Sequence, residues 1–214
     1  MRHHRLSARR LLLIGIFVII LAALVYVASQ PSDIPPSTKP TVTFDFDTGF
    51  PLLAETQNTP LNQTSNGITA YFSSPSDTSV APAFSVQSYH TTFTKLSQFS
   101  GKYLYDNKPS RDSLDIMFSQ QLTSITLTFA TVEYNTEPSN IKLTAYRDSI
   151  GTSPVGSTTA RGTYQNALYP QGVLSFNSGG QPFNLVRIEI PYQDPKAATG
   201  FFVDNVIVTT TQQK

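Results

Sequence analysis

The side chains best placed by sequence to hold a ligand are tyrosines set beside carboxylate and amide groups. Tyr103-Leu104-Tyr105-Asp106-Asn107 puts two rings and two side-chain acceptors in one short stretch, and Tyr134-Asn135 and Tyr164-Gln165-Asn166 repeat the pairing. A tyrosine ring stacks on the apolar face of a sugar, and its hydroxyl exchanges hydrogen bonds. Tyr103, Tyr105, Asp106, Asn107 and Tyr134 are therefore the candidate ligand-binding residues. The competing reading is that these tyrosines are half-buried strand residues, as β propensity alone predicts. The chain has no Trp, the side chain many sugar platforms use.

Catalytic chemistry is poorly supplied. There is no cysteine, so disulfides, thiolate metal sites and cysteine nucleophiles are excluded. His90 is the one histidine beyond the N-terminal tail, and no Gly-x-Ser-x-Gly elbow accompanies it. Ser178-Gly179-Gly180-Gln181 reads as a turn, with no phosphate-cradling loop of the Gly-x-x-x-x-Gly-Lys-Ser/Thr type. No pair of acids stands in a motif that separates a general acid from a base. The expectation is a non-enzyme, with a hydrolase of unrecognised type as the remote alternative.

Charge and hydropathy divide the chain. Arg2, Arg5, Arg9 and Arg10 crowd the first ten residues, and no charge interrupts Leu11 to Ala28. A membrane-spanning helix needs ~20 mainly apolar residues, and such a run must satisfy its own backbone in lipid. The arginines on its N-terminal side keep residues 1–10 in the cytoplasm and send the rest outward. Residues 11–29 are thus expected to be a transmembrane signal anchor. The alternative is a cleaved signal peptide, for which Val27-Ala28-Ser29 is an acceptable site. Residues 30–40 carry Pro31, Pro35, Pro36 and Pro40 and read as an extended linker. From Thr41 onward acids outnumber bases, which argues against a nucleic-acid partner.

Residues 41–214 show period-2 alternation and no sustained helical period. Ile125, Leu127 and Phe129 alternate with Thr126 and Thr128; Leu114, Ile116 and Phe118, Ile141, Leu143 and Ala145, and Val186, Ile188 and Ile190 follow the same rule. Phe201–Val208, Val42–Phe46, Ile68–Phe72, Tyr103–Tyr105, Ser157–Gly162 and Val173–Phe176 are further candidates, divided by turn signals such as Asn66-Gly67 and Ser149-Ile150-Gly151. Thr48–Phe99 is less regular and reads as mainly long loops. The expected fold class is all-β: a jelly-roll β-sandwich of about nine or ten strands, preceded by one N-terminal transmembrane helix.

A family likeness lies in the order of short motifs. Thr43-Phe44-Asp45-Phe46-Asp47-Thr48-Gly49 opens the domain. Ser100-Gly101-Lys102-Tyr103-Leu104 and Leu114-Asp115-Ile116-Met117-Phe118 occupy the middle, and Gly200-Phe201-Phe202-Val203-Asp204-Asn205-Val206 closes it. This order resembles bacterial exported jelly-roll domains of the galactose-binding-like type, the shape of many carbohydrate-binding modules, and is similar to domains of PEP-CTERM-type surface proteins. The sequence stops at Lys214 without a sorting tail, so a sorting role is not expected. The resemblance implies that the first and last strands lie side by side. It also implies a structural calcium ion held by Asp45 and Asp204, with Asp47 a looser candidate. Calcium takes about 6–8 oxygen ligands, often carboxylates with backbone carbonyls. The alternative is that Asp204 accepts backbone N–H groups while Asp45 and Asp47 lie on a solvated strand face.

Taken together, the expected protein is a non-catalytic, membrane-tethered module outside the cytoplasm that binds a glycan or other surface ligand. A structural or adhesive module that meets other proteins is the second reading. A cleaved signal would make it secreted.

Overall fold

The computed structural model describes residues 40–47, 57–78, 81–88, 96–107, 112–133, 137–164, 168–191 and 200–211. The expected tail, membrane helix and nearly all of the linker lie outside these residues, as do Tyr134 and His90.

Among the described residues there are eleven strands: β1 (Thr41–Phe44), β2 (Leu61–Ser65), β3 (Ile68–Ser73), β4 (Phe84–Ser88), β5 (Lys102–Asp106), β6 (Leu114–Thr131), β7 (Asn140–Tyr146), β8 (Pro154–Arg161), β9 (Gln171–Asn177), β10 (Phe183–Glu189) and β11 (Phe201–Thr210). Ten were expected at most. Two of those, around Leu114–Phe118 and Ile125–Phe129, are one continuous strand, β6. The segment expected to be mainly loop also contains β2 and β4.

β6 builds both layers of the fold. Its first part pairs with β3 and β10, and its second part with β11 and β9. One layer therefore runs β2-β3-β6-β10-β7-β8. The other runs β4-β5-β11-β6-β9, with β1 pairing the far part of β11. The first and last strands do lie side by side, Thr41 opposite Thr209 and Phe44 opposite Val206.

Alternation then fills the space between the layers. Ala70, Phe72, Ile116, Phe118, Leu143, Val186 and Ile188 from one layer meet Val42, Phe44, Ile125, Leu127, Leu174, Val203 and Val208 from the other in one buried cluster. Aromatic contacts cross between layers: Phe44 to Phe118 at 6.0 Å and Phe176 to Phe183 at 5.6 Å. The described chain is an all-β sandwich around this core.

Candidate functional site

Two constellations stand apart from ordinary packing, one at a sheet end and one on a sheet face. The first gathers the three aspartates. β1 ends at Phe44, so Asp45 and Asp47 are not strand residues on a solvated face. Phe46 turns the chain with φ of 59° and drops its ring into the core, where it packs on Phe72 at 5.2 Å. A positive φ is rare for a bulky side chain. Here the buried ring holds the residue in that conformation, and the turn leaves Asp45 and Asp47 on either side of it. The Asp47 N–H donates to Asp45 Oδ1 at 3.1 Å, and Asp47 Oδ1 accepts the Lys102 N–H at 2.6 Å.

Asp204 arrives from β11, where the pairing with β6 shifts register between Asp204 and Ile207. Asn205 adopts φ of 50° at this bulge. The Asp204 carboxylate is fully buried and accepts the Ser100 N–H at 3.1 Å, the Asn205 N–H at 2.7 Å and the Asn205 side-chain amide at 3.0 Å. Burial pushes its pKa up to about 7 against those hydrogen bonds, and the charges of Asp47 and Asp45 push the same way. The turn and the bulge thus bring Asp45 and Asp47 close enough for their charges to act on Asp204. The backbone-acceptor role foreseen for Asp204 is also real.

Does this place fit a cation? An ionised carboxylate taken out of water beside two others is costly to leave uncompensated. The backbone approaches closely here: Gly101 has φ of 63°, and a Cβ there would fall on the Asp47 carboxylate. Among the described residues, no three His, Asp or Glu side chains stand close enough to hold a metal by themselves. Backbone carbonyls would have to complete a calcium shell, as they commonly do. Gly101→Ala is expected to destabilise the fold by about 1–3 kcal/mol through strain at a positive φ and the clash with Asp47. An unchanged urea midpoint would remove the argument that the loop needs glycine to seat Asp47.

The tyrosine loop is placed differently from its sequence reading. Tyr103 is 8% exposed and Asp106 is 3% exposed, so neither presents itself to a ligand from outside. Tyr103, Leu96, Tyr169 and Phe202 form a second small core on the outer side of the β4–β5–β11 layer. Tyr105 stacks on Phe202 at 4.9 Å, Phe99 meets Tyr103 edge-on at 5.7 Å, and Tyr169 meets Phe202 at 5.5 Å. Asn107 accepts the Ser85 hydroxyl at 2.7 Å and donates to the Pro82 carbonyl at 3.4 Å. The rings fasten the 96–107 segment to Phe202 of β11, while Asn107 ties its end to the β4 side, and Ser100 is held over Asp204.

The second constellation was not foreseen. On the outer face of the six-stranded layer, the registers align Asn62, Tyr71, Met117, Leu185, Tyr146 and Pro154 in one row across six strands. The next row reads Ser73, Asp115, Arg187, Thr144 and Ser157. An apolar, aromatic stripe therefore runs beside a polar one. Tyr71 is 40% exposed, one of four large apolar side chains so exposed among the described residues. Arg187 donates from Nε and Nη2 to the two Asp115 oxygens, each at 2.7 Å. That fork raises the arginine pKa further, and the guanidinium carbon lies 6.0 Å from the Tyr146 ring centre. Lys142 and Glu189 make a neighbouring pair at 3.5 Å. The strip is pre-formed, fixed by a charge-assisted fork, and its charges cancel in pairs.

No family model matches the chain, and no curated protein matches it in sequence. Among solved structures it is similar to the CBM35 domain from Paenibacillus barcinonensis, at 14% identity and a TM-score of 0.36, over 79% of this chain and 98% of that one. It is similar to a family 11 carbohydrate-binding module from Clostridium thermocellum, solved with a β-1,3-1,4-mixed-linked tetrasaccharide, at 8% identity and a TM-score of 0.35, over 83% of this chain and 100% of that one. It is also similar to the catalytic domain of an α-1,3-glucanase, solved with tetrasaccharides, at 12% identity and a TM-score of 0.36, over 67% of this chain and 28% of that one.

Proposed function

We propose that this protein is a non-catalytic, membrane-tethered jelly-roll module that binds a neutral glycan outside the cytoplasm. The observation that carries the reading is the double stripe on the six-stranded layer. Tyr71 and Met117 supply an apolar platform of the kind a sugar ring face prefers. The Asp115–Arg187 fork, Thr144, Ser73 and Ser157 supply donors and acceptors beside it for sugar hydroxyls. Leu185, between Met117 and Tyr146 in the row, is 3% exposed, so the open platform spans β2, β3 and β6, two strand spacings or roughly 10 Å, about two linked sugar rings. The paired charges favour an uncharged ligand over an acidic one.

The tether rests on the Leu11–Ala28 run and its flanking arginines. Asp45, Asp47 and Asp204 would hold a structural calcium ion, which would neutralise the buried Asp204 carboxylate and so secure the Ser100–Lys102 turn. The adhesive reading keeps one observation of its own: Val173 and Ile207 are exposed on the opposite layer, 53% and 37%, among threonines and serines.

The test is a glycan array probed with the full-length protein in detergent, with calcium and with chelator. Selective binding to neutral oligosaccharides is expected. Tyr71→Ala should weaken it by about tenfold or more, since stacking aromatics dominate such contacts. If Tyr71→Ala binds like the parent, the sheet-face site is wrong.

A further inference from the structure

We infer that the tip of the β7–β8 hairpin is a fixed end wall of the strip, with Ile150 as its apolar contact to the glycan. This rests on the sheet-face reading above and names a residue that neither stripe contains.

A single exposed isoleucine is unremarkable on most surfaces. Ile150 is 75% exposed, the highest of any large apolar side chain among the described residues, yet its backbone is tightly held. Asp148 accepts the Ile150 N–H and the Thr152 N–H, each at 3.0 Å, and the Thr152 hydroxyl at 3.2 Å. These bonds, led by that from Thr152, keep the Asp148 carboxyl well below the usual range, so the clamp persists across ordinary pH. Arg147 extends the brace by donating to Gln181 in the β9–β10 turn at 3.4 Å.

The clamp also fixes where the hairpin lies. Gly151 has φ of 73°, and a Cβ there would sit 3.6 Å from Leu185, 3.7 Å from Arg187 and 4.0 Å from Tyr146. The hairpin tip therefore folds over the apolar row at its β10–β7 end and hides Leu185, which is 3% exposed. A glycan lying across β2, β3 and β6 would meet this tip at its β10 end. An apolar side chain offered there on a rigid turn adds contact without an ordering cost at binding.

Titration calorimetry of the full-length protein in detergent with β-1,4-linked tetrasaccharides of glucose and of galactose tests this. Ile150→Ser should weaken binding about three- to tenfold through lost apolar contact, and Ile150→Leu should restore most of it. Asp148→Ala, which frees the tip, should weaken binding to a similar degree. The melting temperature of the Ile150 variants should not move, because the side chain packs against little. Parent-like binding by Ile150→Ser, with binding lost in Tyr71→Ala, would overturn the wall and leave the sheet face standing. Parent-like binding by both variants, or no binding by the parent, would overturn the wall and the sheet face together.

Discussion

Removing calcium from the protein at about pH 8 should lower its melting temperature by roughly 5–10 °C, and the same treatment at about pH 5 should change it little. A ligand present at a hundred times its dissociation constant stabilises by about 2.7 kcal/mol, and each kcal/mol moves a domain of this size by about 2–4 °C. The pH dependence comes from Asp204, whose pKa rises from 3.8 to about 7 on folding. Between those values the folded state keeps a proton that the unfolded state has lost. Metal-free stability therefore falls as pH rises from about 4 to about 7, by on the order of a few kcal/mol, and is level above that. Calcium needs the ionised carboxylate, so protons displace it as pH falls below 7. Thermal melts with calcium or chelator across this range decide the matter. Coincident melts at about pH 8 would reject the cation site. A metal-free stability that rose from about pH 4 to about pH 7 would reject the burial argument for Asp204.

Arg187→Ala should remove glycan binding and cost about 2 kcal/mol of stability. Exposed ion pairs contribute about 0–1 kcal/mol, and breaking a buried pair costs about 3–5. The Arg187 and Asp115 side chains are 30% and 16% exposed, so the pair lies between these limits. The loss comes mainly from leaving Asp115 half-buried without its fork. Arg187→Lys keeps the charge but not the planar pair of donors, and should fall between parent and alanine. The Arg187→Ala, Asp115→Ala double variant should regain part of the stability, because no charge is stranded, while binding stays lost. Denaturant midpoints and oligosaccharide affinities, measured on the same four proteins, separate the two effects. Undiminished affinity in Arg187→Ala would remove the polar stripe from the site.

How much of this was legible in the sequence depended on distance along the chain. Strands with clean alternation, such as Ile141–Ala145, could be read directly. β2 could not: Leu-Asn-Gln-Thr-Ser lies at the sheet edge, and its most buried side chain is the polar Gln63. β6 was read as two strands because Ser119-Gln120-Gln121 carries no apolar period. Those residues mark where one strand leaves the first layer for the second. Asp45 and Asp204 were brought together by a motif order that implied adjacent terminal strands, and β1 does pair with β11. Tyr103 lies buried and Tyr105 half-buried, in line with the competing strand reading, because ring count says nothing about what covers the rings. The double stripe was out of reach for another reason. Tyr71, Met117, Leu185 and Tyr146 meet only through the order β3-β6-β10-β7, which no local pattern encodes.

The passage of β6 through both layers has a mechanical consequence. Met117, in the outer-face row, and Thr128, opposite Asp204, hang from the same unbroken strand. Neither layer can peel away alone, since tearing out β6 breaks ladders to β3, β10, β11 and β9 at once. The sandwich therefore carries its two layers on one shared strand. Its outer face is a stiff template, kept in shape by a beam whose far end is anchored beside the three aspartates.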